Sequence, residues 1–242
     1  MRIRMTSLSL VHVDGRAALD DVSLRVPSGQ FCVVLGPSGA GKSSLLGVIG
    51  GSLAPTAGAV WLDDAPAGLV AHGRARPAIG QIHQSLALVR QSSAAENIMA
   101  GAAGRMAVWR AATGLYPAWA KERAVRLHLA LGLDGNDISR SVSALSGGQQ
   151  QRVAIARALM GEPDVLLADE PVSSLDSVTS RQVLDVIRER QRTCGMTVVC
   201  ALHQPELARE YADRVVVMEA GRIVFDGAPG DYPVRAVRQA AA

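Results

Sequence analysis

Short alternating stretches open the chain, and longer mixed ones follow. "SLSLVHV" and "VSLRVPSG" alternate apolar and polar positions on either side of an Asp14-Gly15 turn signal, and "GAVWLDD" follows "APTAG". Period-two patterning with turn residues between predicts a region of antiparallel strands. "QFCVVLG" is instead an unbroken apolar run ending in glycine, the pattern of a strand buried on both faces. "KSSLLGVIGG" reads as a helix stopped at Gly50-Gly51. From about 85 to 160 the chain is Ala-rich and helical. "KERAVRLHLALGL" puts Ala124, Leu127, His128 and Leu131 on one face, with Gly132 as the stop. A helix opening after Ser146 runs to about Gly161, where Pro163 blocks continuation. Then "DVLLADE" predicts a buried strand, "SRQVLDVIRERQ" an amphipathic helix, "MTVVCALH" a strand, and "ADRVVVMEAGRIVFDG" two strands around Ala220-Gly221. The Ala-rich tail, 237–242, reads as frayed or short helix. Alternating strands and helices predict an α/β sheet. The expected layout is one domain: an α/β core from 1–84 and 161–242, with a helical subdomain, 85–160, inserted between them.

Composition narrows the class. At 242 residues, 48% hydrophobic and 19% charged, the chain has the material for a large packed core. Aromatics make up only 3%, so Val, Leu, Ile and Ala must fill that core. The net charge of +3 comes from interspersed residues without a basic run, which argues against a nucleic-acid partner. Cys32, Cys194 and Cys200 lack metal-ligand spacing. Cys32 and Cys200 lie in apolar runs and read as buried reduced thiols. Nothing reads as a signal peptide or a membrane-spanning stretch, so a membrane role would be borrowed from another subunit.

Chemistry enters at "GPSGAGKSS", residues 36–44. Gly36, Gly41, Lys42 and Ser43 fit the phosphate-loop spacing, between a predicted strand and a predicted helix. Pro37, Ser38, Gly39, Ala40 and Ser44 complete the loop. Glycines let backbone wrap around phosphate oxygens, Lys42 supplies a point charge, and the Ser43 hydroxyl can ligate Mg²⁺. Asp169 ends the strand "VLLAD", at the sheet edge where ligands of open α/β sheets bind. There it can hold Mg²⁺ through water, while Glu170 activates an attacking water. Gln84 and His203 also lie just past apolar runs. "LSGGQQQRVAIARAL" then presents a second anion-seeking helix end at Ser146, Gly147 and Gly148.

The order Lys42, Gln84, "LSGGQ", "LLADEP", "SSLD", His203 resembles the ATPase subunits of ABC transporters, over essentially the whole chain. The resemblance implies ATP and Mg²⁺ as ligands and two ATPase subunits stacked head to tail. The second helix end then serves the nucleotide of the partner, which explains why one chain carries two. It implies that Gln84 touches Mg²⁺ or the attacking water and that Ser146 and Gly148 contact the γ-phosphate in trans. Asp176 would couple the two sites, and His203 would contact the γ-phosphate. One position departs: His12 stands where the family stacks an aromatic on adenine, and imidazole offers less area. His83 stands where an aromatic is common.

"WRAATGLYP", "SLDSVTSRQVLD" and "LHQPELAREYADRV" are similar to the phosphonate-import ATPases of the PhnC type. That implies an importer of phosphonate or a related phosphorus oxyanion. The subunit would lie at the cytoplasmic face of the cell membrane. Its partners would be a second ATPase subunit, expected to be identical, permease subunits and, indirectly, a solute-binding protein. The alternative is another ABC system, a different importer or an exporter of the lipoprotein-release type. A nucleic-acid-acting ABC ATPase would show tandem halves or a long coiled-coil insertion, and a P-loop kinase has no use for "LSGGQ". Trp109, Tyr116 and Trp119, from a chain with three Trp, three Tyr and two Phe, mark Gln84 to about Trp119 as the expected permease-docking region.

Overall fold

A computed structural model describes residues 1–66 and 78–232; the Ala-rich tail lies outside the described residues. Two sheets form the frame. Strands β1 (Ile3–Val11), β2 (Ala17–Val26), β4 (Ala57–Leu62) and β5 (Ala65–Pro66) make an antiparallel sheet in the order β2-β1-β4-β5. The other sheet is six-stranded, built from β3 (Phe31–Leu35), β6 (Ile79–Ile82), β7 (Val165–Asp169), β8 (Thr197–Ala201), β9 (Arg214–Glu219) and β10 (Arg222–Gly227). Its order is β10-β9-β3-β8-β7-β6, with only the β9–β10 hairpin antiparallel. The helices are α1 (Lys42–Ile49), α2 (Ala94–Ala100), α3 (Val108–Thr113), α4 (Ala118–Ala130), α5 (Gly147–Met160), α6 (Ser177–Cys194) and α7 (Pro205–Tyr211).

The unbroken apolar runs are explained by burial on both faces. Along β3, Phe31, Val33 and Leu35 join one core while Cys32 and Val34 join the other. The same alternation holds on β7, where Leu166 and Ala168 face one core and Val165 and Leu167 the other. The first core is covered by α2, α4, α5, α6 and α7. The second lies between the parallel sheet, α1 and the antiparallel sheet. On α4 the expected face is inside: Ala124, Leu127 and His128 are buried, with Leu131 just beyond the helix end. Cys32 and Cys200 are buried as expected, and burial pushes the Cys32 thiol up to about 12.

Topology gathers the chemistry. Strands β3, β6, β7 and β8 run parallel, so their C-terminal ends share one edge. From that edge emerge the loop 36–41, Gln84, Asp169-Glu170 and His203. Element ends moved by a few residues from the sequence-based expectation, as they commonly do. α6 starts at Ser177 rather than Ser180, because the Asp176 carboxylate caps it, accepting the Val178 and Thr179 N–H groups at 3.0 Å each. Helix α7 did not stand out in the sequence; Pro205 sits at its first turn, where a missing N–H costs nothing.

Candidate functional site

The loop between β3 and α1 is shaped by close backbone approaches. Gly36 has φ 152°, and a Cβ there would lie 2.3 Å from the Met218 carbonyl oxygen. Gly41 has φ 101°, and its Cβ would lie 2.4 Å from the Ala18 oxygen on β2. Neither position has room for a side chain. Gly41 caps α1 with no side-chain bond, so the first N–H groups of the helix are free for an anion. Ala40 points inward and is 2% exposed, anchoring the loop on the core. Lys42, 5% exposed, folds back and donates to the Gly36 and Pro37 carbonyls at 2.8 and 3.0 Å. Burial pulls its ammonium below the ordinary lysine range, opposed by the charges of Glu170 and Asp169.

Next to this loop is a cleft of about 350 Å³, lined among others by His12, Ser38, Gly39, Gly41, Lys42, Ser43, Ser44, Gln84 and Glu170. Asp14, Arg16, Ala17 and Ala18 also line it. Sequence reasoning missed Arg16 and took Asp14 only as a turn residue. The turn itself carries the signal: His12 N–H donates to the Arg16 carbonyl at 2.9 Å, so a hairpin tip of both charges meets the phosphate loop. A neighbouring cleft of about 420 Å³ is lined by Ser43, Gln84 and Asp169 together. One Asp169 carboxylate oxygen, Oδ1, is buried with no hydrogen-bond partner. A hydroxyl, an amide oxygen and an orphaned carboxylate oxygen fit a hard cation such as Mg²⁺, which takes oxygen ligands, commonly one or two carboxylates, and completes its shell with phosphate and water. Among the described residues no cluster of three or more His, Cys, Asp or Glu side chains gathers.

Glu170 adopts φ 52°, left-handed for a non-glycine residue. Strain of this kind is typically about 1–3 kcal/mol and needs over-determined surroundings. They are present: the Glu170 N–H donates to Ala201, and its carbonyl accepts from Gln151 Nε2 at 3.1 Å and Ser173 Oγ at 3.2 Å. Its carboxylate Oε1 meets His203 Nε2. Gln151, buried on α5, was not singled out from the sequence, although it lies within "GGQQQR".

The second helix end is placed differently. Ser146 caps α5 in a capping box, its Oγ accepting from the Gln149 N–H and its own N–H donating to Gln149 Oε1. Ser146 and Gly147 are exposed. Neither they nor Gly148 nor Asp176 lines either cleft. Gly148 sits against the 173–176 loop: a Cβ there would meet Leu175 Cδ2 at 3.1 Å. Thus one surface carries Ser146, Gly148 and Asp176, while a separate cleft carries Lys42, Gln84 and Glu170. His83 is exposed beside Gln84.

A phosphate loop, an orphaned strand-end carboxylate, a following glutamate and a histidine on one sheet edge define a P-loop nucleoside triphosphatase. The chain belongs to the ABC transporter family, whose model matches residues 19–173. It is 43% identical to a "Phosphonates import ATP-binding protein PhnC" of Hyphomonas neptunium, over 94% of this chain and 87% of that one. A protein of the same name from Staphylococcus aureus is 37% identical, over 93% and 89%. A solved dimeric ATP-binding cassette in a post-hydrolysis state, bound to ADP and Pi, superposes with a TM-score of 0.83 at 28% identity, covering 95% of this chain and 100% of that one. The cassette cbiO1 of Clostridium perfringens, part of the ABC transporter complex cbiONQ, gives 0.76 at 27% identity, covering 98% and 92%. The chain is therefore an ATP-binding, ATP-hydrolysing cassette. Among the described residues no helix is long and apolar enough to cross a membrane.

Proposed function

We propose that this ATPase drives import of phosphonate or a related phosphorus oxyanion, from the cytoplasmic face of the cell membrane, as a head-to-tail dimer bound to permease subunits. The observation that carries the mechanism is the convergence of Lys42, Ser43, Gln84, Asp169, Glu170 and His203 on one sheet edge, apart from Ser146 and Gly148. The cargo rests on the relatives named PhnC.

In this reading Lys42 exchanges the Gly36 and Pro37 carbonyls for phosphate oxygens, while the 36–44 backbone and Ser44 cradle the phosphates. His12 packs on the base. Ser43, Gln84 and Asp169 would hold Mg²⁺, which when bound neutralises phosphate charge. Glu170 takes the proton of the attacking water, and His203 lies within reach of its carboxylate to orient it and the γ-phosphate. Ser146 and Gly148 of one subunit complete the site of the other, and Asp176 sits at the junction. The region from Gln84 to about Trp119 docks the membrane subunit. Trp109 is 56% and Trp119 40% exposed, each with an arginine over its ring, Arg110 at 5.0 Å and Arg105 at 5.8 Å. Tyr116 packs against the core instead.

The test is reconstitution with the permease and the solute-binding protein. ATPase activity should rise when the binding protein carries a phosphonate and stay basal when it carries none. Equal activity with loaded and empty binding protein, or stimulation only by solutes without phosphorus, contradicts the cargo.

A further inference from the structure

The segment just after Gln84 is held in a conformation its residues do not favour. Leu86 has φ 54° and Ala87 φ 47°, two consecutive left-handed residues, neither of them glycine. The turn is tight: Leu86 N–H donates to His83 O at 3.0 Å and Ala87 N–H to Ser85 O at 2.6 Å. Two such residues in succession persist only if something outside the segment fixes them. One side chain does. Arg157, near the end of α5, donates through one terminal nitrogen to Ala87 O and through the other to Leu86 O, both at 2.6 Å. Among the described residues Arg157 has no carboxylate partner. Burial accordingly lowers its guanidinium below the ordinary arginine range with no acid opposing it. A guanidinium fork spans two adjacent carbonyls with fixed geometry, which a lysine ammonium cannot reproduce.

We propose that Arg157 is the positioning residue for Gln84: it pins the Leu86–Ala87 turn to α5, so that the glutamine keeps its place between the two clefts. Roughly 16 Å of the same helix separates Arg157 from Ser146. The helix end that serves the partner's nucleotide and the loop that carries Gln84 are therefore parts of one rigid unit. The effect on catalysis rests on the proposed role of Gln84; the clamp itself does not.

The experiment uses the full chain and two readouts. In the nucleotide-free subunit, Arg157→Ala should lower the exchange protection of the Leu86 and Ala87 amides at least tenfold. The amides of β6 and of the middle of α5 should keep theirs. With the permease present, the same variant should lower kcat at least tenfold and move KM for ATP less than threefold. Ala87→Gly, at ease with positive φ, should reduce the kcat loss caused by Arg157→Ala at least threefold relative to the same substitution beside the native Ala87. Should Arg157→Ala fail to fold, Arg157→Gln, with one amide group in place of the fork, carries the same comparisons. Unchanged protection of the two amides, or a kcat loss of the same size with and without Ala87→Gly, overturns the clamp. If Gln84→Ala leaves kcat at the wild-type value, the role given to Gln84 fails, while the exchange measurement still decides on the clamp.

Discussion

Two helices of this chain begin with glycine-rich, anion-seeking ends, and they are built for different work. The α1 end is enclosed: Gly36 and Gly41 leave no room for a Cβ, Ala40 is anchored in the core, and Lys42 is 5% exposed with its ammonium parked on two carbonyls. The α5 end is exposed at Ser146 and Gly147 and lines neither of the two clefts beside the phosphate loop. It is nevertheless rigid, because a capping box fixes Ser146. In the proposed reading the enclosed end, with Lys42 beside it, holds the phosphates of its own chain's nucleotide. The rigid, exposed end lines neither of those clefts and in that reading serves the nucleotide of the partner.

The contrast can be broken most strongly at the chemistry. Glu170→Gln should keep ATP binding and lower turnover by about 10²-fold or more, the scale of a lost general base; single-turnover hydrolysis beside nucleotide binding checks this, and near-normal turnover contradicts the role. Lys42→Ala should weaken ATP binding about 10- to 100-fold, since bonds to a charged group are worth about 1.5–3 kcal/mol. Ser146→Arg should leave ATP binding to the isolated subunit within about twofold and remove ATP-dependent dimerisation. Titration calorimetry and sedimentation separate the two. Gly41→Ala should destabilise the chain by about 1–3 kcal/mol from backbone strain alone, before the clash with Ala18 is counted; Gly147→Ala, with nothing within 4 Å of its Cβ at the start of α5, should be neutral or stabilise by up to about 1 kcal/mol. Denaturant midpoints measure both.

A smaller effect comes from charge. Asp213 lies just before β9, at the edge of the parallel sheet opposite the nucleotide cleft, where its carboxylate accepts the Phe31 N–H at 2.8 Å and two bonds from Arg188. Burial raises its pKa, but the Arg188 and Phe31 bonds outweigh this and hold it below the usual aspartate range. A carboxyl depressed on folding stabilises the fold above its unfolded pKa and loses that contribution as pH falls through the folded one. Asp213→Asn should therefore destabilise the chain at neutral pH, by about 1–2 kcal/mol. The gap between variant and parent should narrow as pH drops below about 4. A gap that does not change with pH would assign the loss to packing.

The same contrast explains what could be read without coordinates. A strand end is a local signal. An apolar run that stops at Gly36, Asp169 or His203 shows where its last side chain is delivered, and parallel pairing brings all of those ends to one edge. The α5 cap was equally legible, since Ser146 and Gln149 stand three apart before an apolar run. What stayed hidden depends on approach across the fold. Nothing near Leu86 or Ala87 in sequence announces a left-handed turn, because the cause, Arg157, arrives from another element. Gln151 reaches the Glu170 carbonyl the same way. Asp14 and Arg16 read as turn chemistry, and they enter the cleft wall only because β2 passes beside Gly41. Asp176 was assigned to subunit coupling, and its place as the α6 cap came from the structure, although an aspartate just before a helix carries that signal.

The central claim is that each ATP site is made from the enclosed end of one chain and the exposed end of another. Lys42→Ala keeps a sound α5 end, and Ser146→Arg keeps a sound phosphate loop. In a dimer of either variant alone, both sites would be damaged. Mixed with the permease, they should form heterodimers in which one site joins an intact phosphate loop to an intact α5 end while the other carries both defects. The decisive measurement is ATPase activity and ATP-dependent dimerisation of each variant and of the mixture, with subunit exchange verified by labelled chains. The account predicts that the mixture exceeds the sum of its parents in at least one of the two. A mixture that exchanges subunits freely yet matches its parents in both would contradict sites shared between chains.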